Sequence, residues 1–346
     1  MIEKTTFSNI EIKKEILIQY GININKIEFI NKGSANIYKI FSNDNKIYVL
    51  KEFQSKYTKD DVLREINAIA YLRENSKIPL PKYIQCKNGK FYFLHKQKVV
   101  VMQEFIEGHV FNKNEGNYEQ LLESARYLGE IINGFEKYET NQKIDIKDWY
   151  SKEEIEKANK KYNAILKKAD NSKIGNKIKK DMAFKKQLLK DLEKIIDFSE
   201  INLITHKVSH GDYSSLQFIY DDNNKVKAIL DFIKVKKLPI IWEIARSYSY
   251  IDEKAKNGHI DIKNIVAYTK EVSKVTKLNK YDLKYLSYVY LIQLARSTYG
   301  YEEYFNGVTN KEELLEFAFY RTNICRELYS KANLISNELL NIEEEG

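Results

Sequence analysis

Apolar and polar positions alternate with a period of two over residues 26–30, and two short, mainly apolar runs follow at 38–41 and 47–53. That period sends successive side chains to opposite faces of an extended backbone, so the stretches predict antiparallel strands. Small residues around Gly33, Ser34 and Ala35 form a turn after the first stretch, and Ser42-Asn43-Asp44-Asn45 separates the next two. From 59 to 74 the spacing changes: Val62, Leu63, Ile66, Ile69, Ala70 and Leu72 share one stripe of a helix, with Glu65 at its border. The run Val99-Val100-Val101-Met102 predicts a buried strand that exits through Gln103, Glu104 and Phe105. Beyond it the helical period dominates, at 118–135, within 152–194, and at 240–250, 262–275, 281–299 and 311–340. A hairpin interrupts it, with strands at 216–220 and 225–230 around Asp221-Asp222-Asn223-Asn224. Residues 141–148 are expected to form a surface loop. The pattern predicts an α+β chain: a sheet with one helix over residues 1–104, and a larger, mainly helical part over 105–346.

Composition changes this picture little. With 57 Lys and Arg against 49 Asp and Glu the net charge is +8, yet the basicity is diffuse. The lysines of 152–194 are interleaved with Glu153, Glu154, Glu156 and Asp191, as on solvated helix faces, so no nucleic-acid partner is expected. No apolar run approaches the length needed to span a bilayer, and the first residues show no signal-peptide pattern. Cys86 and Cys325 have neither metal nor disulfide spacing, which fits a reducing cytosol. The expectation is a cytoplasmic protein, monomeric or homodimeric, with no membrane partner.

The candidate chemistry lies in Ser209-His210-Gly211-Asp212, Gln217 and Asp231-Phe232. Asp212 and Asp231 flank the predicted hairpin and can converge at one end of it. Phosphoryl transfer uses such a pair: one acid takes the proton of the attacking hydroxyl, the other holds the magnesium that bridges nucleotide phosphates. Upstream, Gly33, Ser34 and Ala35 would let backbone N–H groups approach a phosphate closely. Lys51 ends an apolar strand. It is either an edge residue with a solvated head or a cation held for a phosphate.

The order of these parts resembles the aminoglycoside phosphotransferase and choline kinase-like family, a branch of the protein-kinase-like fold. The resemblance rests on Gly33, Asn36 and Tyr38, on Lys51 and Glu65, on the exit strand at 103–105, on His210-Gly211-Asp212, and on Asp231-Phe232. It implies a two-lobe fold and an ATP- or GTP-dependent kinase that phosphorylates a small hydroxylated acceptor. Gly33, Ser34, Ala35 and Asn36 would cover the phosphates, and Lys51, steadied by Glu65, would grip them. The backbone of Gln103, Glu104 and Phe105 would read the base. Asp231, with Gln217, would hold Mg2+, Asp212 would act as the base, and His210 would brace the loop. The chain departs from the family pattern in having Gln217 where Asn is usual, Ile233 after Asp231-Phe232, and Glu243 in place of an Asp. Glu243 is expected to cap or brace the catalytic loop. An aminoglycoside-type amino sugar is the expected acceptor, met by Asp252, Glu253, Glu302 and Glu303 among aromatic residues of 247–253 and 293–304. Choline, homoserine, methylthioribose and other sugars are the alternative acceptors, and a kinase-like scaffold of spore-coat type is the non-enzymatic alternative.

Overall fold

A computed structural model of the protein describes residues 3–30 and 35–341. In chain order the elements are α1 (Asn9–Tyr20), β1 (Ile24–Ile30), β2 (Ala35–Ser42), β3 (Ile47–Phe53), α2 (Lys59–Asn75), β4 (Phe93–His95), β5 (Lys98–Glu104), α3 (Tyr118–Gly134), α4 (Lys152–Lys168), α5 (Lys173–Ile195), α6 (Phe198–Ile201), β6 (His206–Ser209), β7 (Phe218–Tyr220), β8 (Val226–Ile229), β9 (Lys236–Pro239), α7 (Ile240–Ile251), α8 (Ile262–Ser273), α9 (Lys280–Arg296), α10 (Tyr301–Phe305) and α11 (Lys311–Leu340). Their contacts divide the chain into two units, Met1–Val110 with Gln217–Val235, and Phe111–Leu216 with Lys236–Gly346. Beside the expected boundary after residue 104, these contact units part after Val110, and the segment Gln217–Val235 groups with the first. That hairpin packs with the first unit through the bond from the Ile229 N–H to the Pro79 carbonyl (2.9 Å) and the paired bonds between His109 and Tyr220.

The first unit carries a five-stranded antiparallel sheet in the order β1-β2-β3-β5-β4. Alternation decides its two faces. Tyr38, Ile40, Tyr48, Leu50, Val100 and Met102 turn to a core that α1 closes with Ile12 and Ile16. Lys51 follows Leu50 and so points to the opposite face, in register with Ile37 and Val101. Helix α2 starts at a capping box in which Thr58 and Asp61 satisfy each other's backbone amides. It buries Val62, Glu65, Ile66, Ile69 and Leu72. It packs against the 3-10 turn Phe232–Lys234, which carries the residues just after Asp231.

In the second unit α9 is the central helix. Its buried residues include Leu283, Tyr285, Leu286, Tyr290, Leu291 and Leu294, on every side of the helix, because α5, α7 and α11 all pack on it. The helix expected over 281–299 stops at Arg296. Gly300, at φ +91°, then turns the chain into α10, where a Cβ would meet the Leu314 carbonyl at 2.2 Å. The loop expected at 141–148 lies mostly at the surface and is also pinned: Ile144 and Gln142 pair with Lys237 on β9, and Ile146 is buried. Strand β9 in turn pairs antiparallel with β6, the strand that leads into His210. Among the described residues no helix is long and apolar enough to cross a membrane.

Glu52, on β3, is fully buried and accepts from the Thr6 amide (2.9 Å) and hydroxyl (2.6 Å) and from Asn36 (2.8 Å). Replacing it with Ala leaves three donors without an acceptor. Glu52→Ala is expected to destabilise the protein by about 3 kcal/mol in urea unfolding; a change within about 0.5 kcal/mol, as at ordinary surface positions, would contradict the role given to this network.

Candidate active site

In the first unit the expected clamp residues meet. The Lys51 ammonium is 3.9 Å from the Glu65 carboxylate, and the Glu65 side chain is fully buried. Neither Glu65 oxygen completes a hydrogen bond. Burial raises this carboxyl, Lys51 opposes the rise, and the nearby charge of Asp231 adds to it, so that Glu65 is pushed up to about 7. Asp231 thus belongs to the same electrostatic neighbourhood as Lys51 and Glu65.

Asp231 has the left-handed backbone conformation, φ +64° and ψ +60°. A non-glycine residue there stores strain and is held only by its surroundings. Across the hairpin, the Leu230 amide donates to the Gln217 carbonyl at 2.8 Å, which brings Gln217 beside Asp231. Among the described residues no group of three or more His, Cys, Asp or Glu is placed to hold a metal. One carboxylate and one amide oxygen suit Mg2+, which keeps most of its ligands as water and phosphate.

The remaining nucleotide-side expectations divide. Gly33 and Ser34 lie outside the described residues. Ala35 is buried at the start of β2. Asn36 turns its amide inward to Glu52 and to the Glu3 carbonyl (3.0 Å), so its side chain serves the fold. At the exit strand, Gln103 is buried and bridges to Tyr83. The Glu104 amide donates to Lys82 and the Phe105 amide to Ile47, at 3.0 and 3.2 Å. These two N–H groups are therefore used inside the fold, which narrows the expected reading of a base edge to other backbone groups. The Glu104 side chain faces outward toward Lys82 (3.6 Å), and Lys39 stands 4.1 Å from the centroid of the Phe105 ring.

Asp212 belongs to the second unit. It sits on a loop entered through Gly211, whose φ of +81° is the left-handed region that favours glycine. Glu243, fully buried in the first turn of α7, accepts from the Gly211 amide (3.1 Å) and the Tyr213 amide (3.2 Å). This is the bracing role expected of it. The His210 ring accepts from the Asp212 amide through Nδ1 at 3.3 Å and packs edge-on to Tyr213, a structural part. Tyr213 anchors the loop by donating to the Ser124 carbonyl at 2.8 Å.

Arg246 is the residue whose role the sequence reading missed. One turn beyond Glu243 on α7, it donates to the Asp212 carboxylate and to the Tyr213 carbonyl (3.1 Å). Burial opposes its charge, but Asp212 and its other neighbours raise its pKa, so it stays a cation. The i, i+3 spacing of Glu243 and Arg246 on one helix face was the signal available. The acids expected to meet a cationic acceptor are mostly engaged. Asp252 is buried and accepts from Asn264 at 3.1 and 3.2 Å. Glu302 accepts from Thr298 (2.7 Å) and Lys161 (3.2 Å), and Glu303 from the Gly300 amide (2.6 Å).

The family model described as the phosphotransferase enzyme family matches residues 26–261. No curated protein matches the chain. Among solved structures, a spectinomycin phosphotransferase in complex with ADP and spectinomycin aligns with a TM-score of 0.67 at 16% identity, over 97% of this chain and 100% of that one. An aminoglycoside phosphotransferase from Alicyclobacillus acidocaldarius aligns with a TM-score of 0.68 at 13% identity, over 97% and 98%. A microcompartment-associated aminopropanol kinase gives 0.64 at 12%, over 96% and 99%. The fold is that of protein-kinase-like phosphotransferases. The matched span takes in Lys51, Glu65, Asp212, Asp231 and Glu243, and on that match the chain belongs to the phosphotransferase enzyme family, as a small-molecule phosphotransferase.

Proposed function

We propose that the protein transfers the γ-phosphoryl group of ATP, or of GTP, to a hydroxyl of a small molecule in the cytoplasm. The observation that carries this reading is the construction around Asp212: a partly exposed carboxylate on a left-handed loop whose amides are held by the buried Glu243. Asp212 orients the acceptor hydroxyl and takes its proton. Lys51 holds the phosphates, with Glu65 restraining its ammonium. Asp231 and Gln217 would hold Mg2+, which when bound neutralises charge on the phosphates. Rate comes from positioning and charge neutralisation, with no covalent enzyme intermediate. The complex of the spectinomycin phosphotransferase with ADP and spectinomycin supports a nucleotide and a small acceptor as substrates. Of the four acids expected to line a pocket for an aminoglycoside-type acceptor, three have partners within the fold, so the proposal stops at a small hydroxylated molecule.

Asp212→Asn keeps the size of the side chain and removes the base. Transfer of labelled phosphate from ATP is expected to fall by about three orders of magnitude, with ADP affinity nearly unchanged. Near-normal turnover would refute the assignment.

Glu65 provides a test through pH. Its folded-state pKa of about 7 lies above its ordinary 4.5, so between those values the native state binds more protons than the unfolded one. Stability contributed by the protonated form is full below pH 4.5 and is lost as pH rises through 7, by about 3 kcal/mol. Glu65→Gln is expected to flatten this slope in urea unfolding at pH 5, 7 and 9, and to weaken ATP binding. Parallel pH curves for the two proteins would show that Glu65 does not titrate there.

A further inference from the structure

In the second unit, three cations gather on one cluster of aromatic rings, and the cluster begins at Asp212. Arg246, which donates to Asp212, lies with its guanidinium carbon 4.8 Å from the centre of the Tyr250 ring. Tyr250 neighbours Phe317 at 6.2 Å and Tyr320 at 6.1 Å between ring centres. The Lys113 ammonium stands 3.4 Å from the centre of Tyr320 and 5.4 Å from that of Phe317, and Arg321 approaches Phe317 at 5.8 Å.

Among the described residues, two of these cations form no ion pair. Arg321 donates only to the neutral oxygens of Ser297 (3.0 Å) and Gln293 (3.2 Å), and its Nε is buried without a partner. Lys113 has no carboxylate and no hydrogen-bond acceptor among the described residues, only the ring faces. Burial alone pushes it down to about 8. Aromatic faces compensate a desolvated cation in part, and an incoming anion would complete the compensation with charge-assisted hydrogen bonds. The acids nearby are occupied: Asp212 by Arg246, Asp252 by Asn264, and Glu303 by the Gly300 amide. Glu303 and Glu313 share the Tyr299 neighbourhood with Arg321 but, among the described residues, form no ion pair with it. The cluster is reachable from solvent, with the Asp212 side chain 43% and Tyr299 45% exposed.

Resting on the kinase reading, we infer that the acceptor phosphorylated at Asp212 carries an anionic group, a carboxylate or a phosphate ester, that Lys113 and Arg321 bind. A polycationic amino sugar would meet two unpaired like charges there, with Arg246 already paired to Asp212. The guanidinium fork of Arg321 suits a planar carboxylate or a phosphate equally.

Calorimetric titration of gluconate, glucose 6-phosphate, glucose and kanamycin into the ADP-loaded full-length protein tests this. At least one anionic probe is expected to bind, more weakly as salt rises, and which one binds separates carboxylate from phosphate. Lys113→Met, which keeps the apolar stem over the rings, and Arg321→Gln are each expected to weaken that binding about tenfold, with ADP affinity unchanged. The inference is overturned if neither anion binds, if kanamycin or glucose binds at least as tightly as the anions, or if both folded variants bind like the parent. A protein that does not load ADP would count against the kinase reading instead.

Discussion

Everything proposed for Asp212 depends on one buried carboxylate. Glu243 is wholly removed from water, and an ionised carboxylate in that position costs several kcal/mol unless donors surround it. The amides of Gly211 and Tyr213 supply them, so the loop between those residues cannot relax without exposing Glu243 to an unpaired state. Helix α7 is itself fixed by packing on α9. Arg246, one turn further along, then holds the Asp212 side chain. A rigid helix thereby sets both the backbone and the carboxylate of the proposed base.

Among the described residues, Glu52, Glu65 and Glu243 are the three glutamates with no exposed surface, and comparing them separates structure from chemistry. Glu52 and Glu243 are each met by hydrogen-bond donors on neighbouring strands and loops. Glu65 completes no such bond: it has an ammonium at 3.9 Å, the Tyr83 hydroxyl close by without full hydrogen-bond geometry, and a second carboxylate nearby. Satisfied buried acids brace a fold. An unsatisfied one, with its ionisation moved toward neutrality, marks a place where charge is handled. The left-handed Asp231 in the same neighbourhood is a further local departure from unstrained geometry.

Much of this was legible in the chain. Alternation over residues 26–30 and short apolar runs between turn residues located the strands, and the order of Lys51, Glu65, His210-Gly211-Asp212 and Asp231 pointed to the family. What remained hidden depended on contacts distant in sequence. The hairpin around residue 220 follows the His210-Gly211-Asp212 loop, yet it packs with the first unit through Pro79 and His109, which no local pattern announces. Asn36 sits in a stretch that resembles a phosphate loop, but Glu52 and Glu3 claim its amide. Glu302 and Glu303 look available in the sequence because Thr298, Lys161 and Gly300, their partners, are recognised only once α10 has formed. Lys113 and Arg321 lie some two hundred residues apart and meet only over Phe317.

In the proposed reaction the terminal phosphoryl group of a nucleotide ends on a hydroxyl of a small molecule. Phosphorus NMR of the wild-type protein with ATP, magnesium and a panel of hydroxylated acceptors reads this directly. Such a transfer predicts loss of the γ-phosphate resonance matched by ADP and a new phosphomonoester signal with one of the acceptors. ATP left intact across the panel, or converted only to ADP and inorganic phosphate, would contradict it.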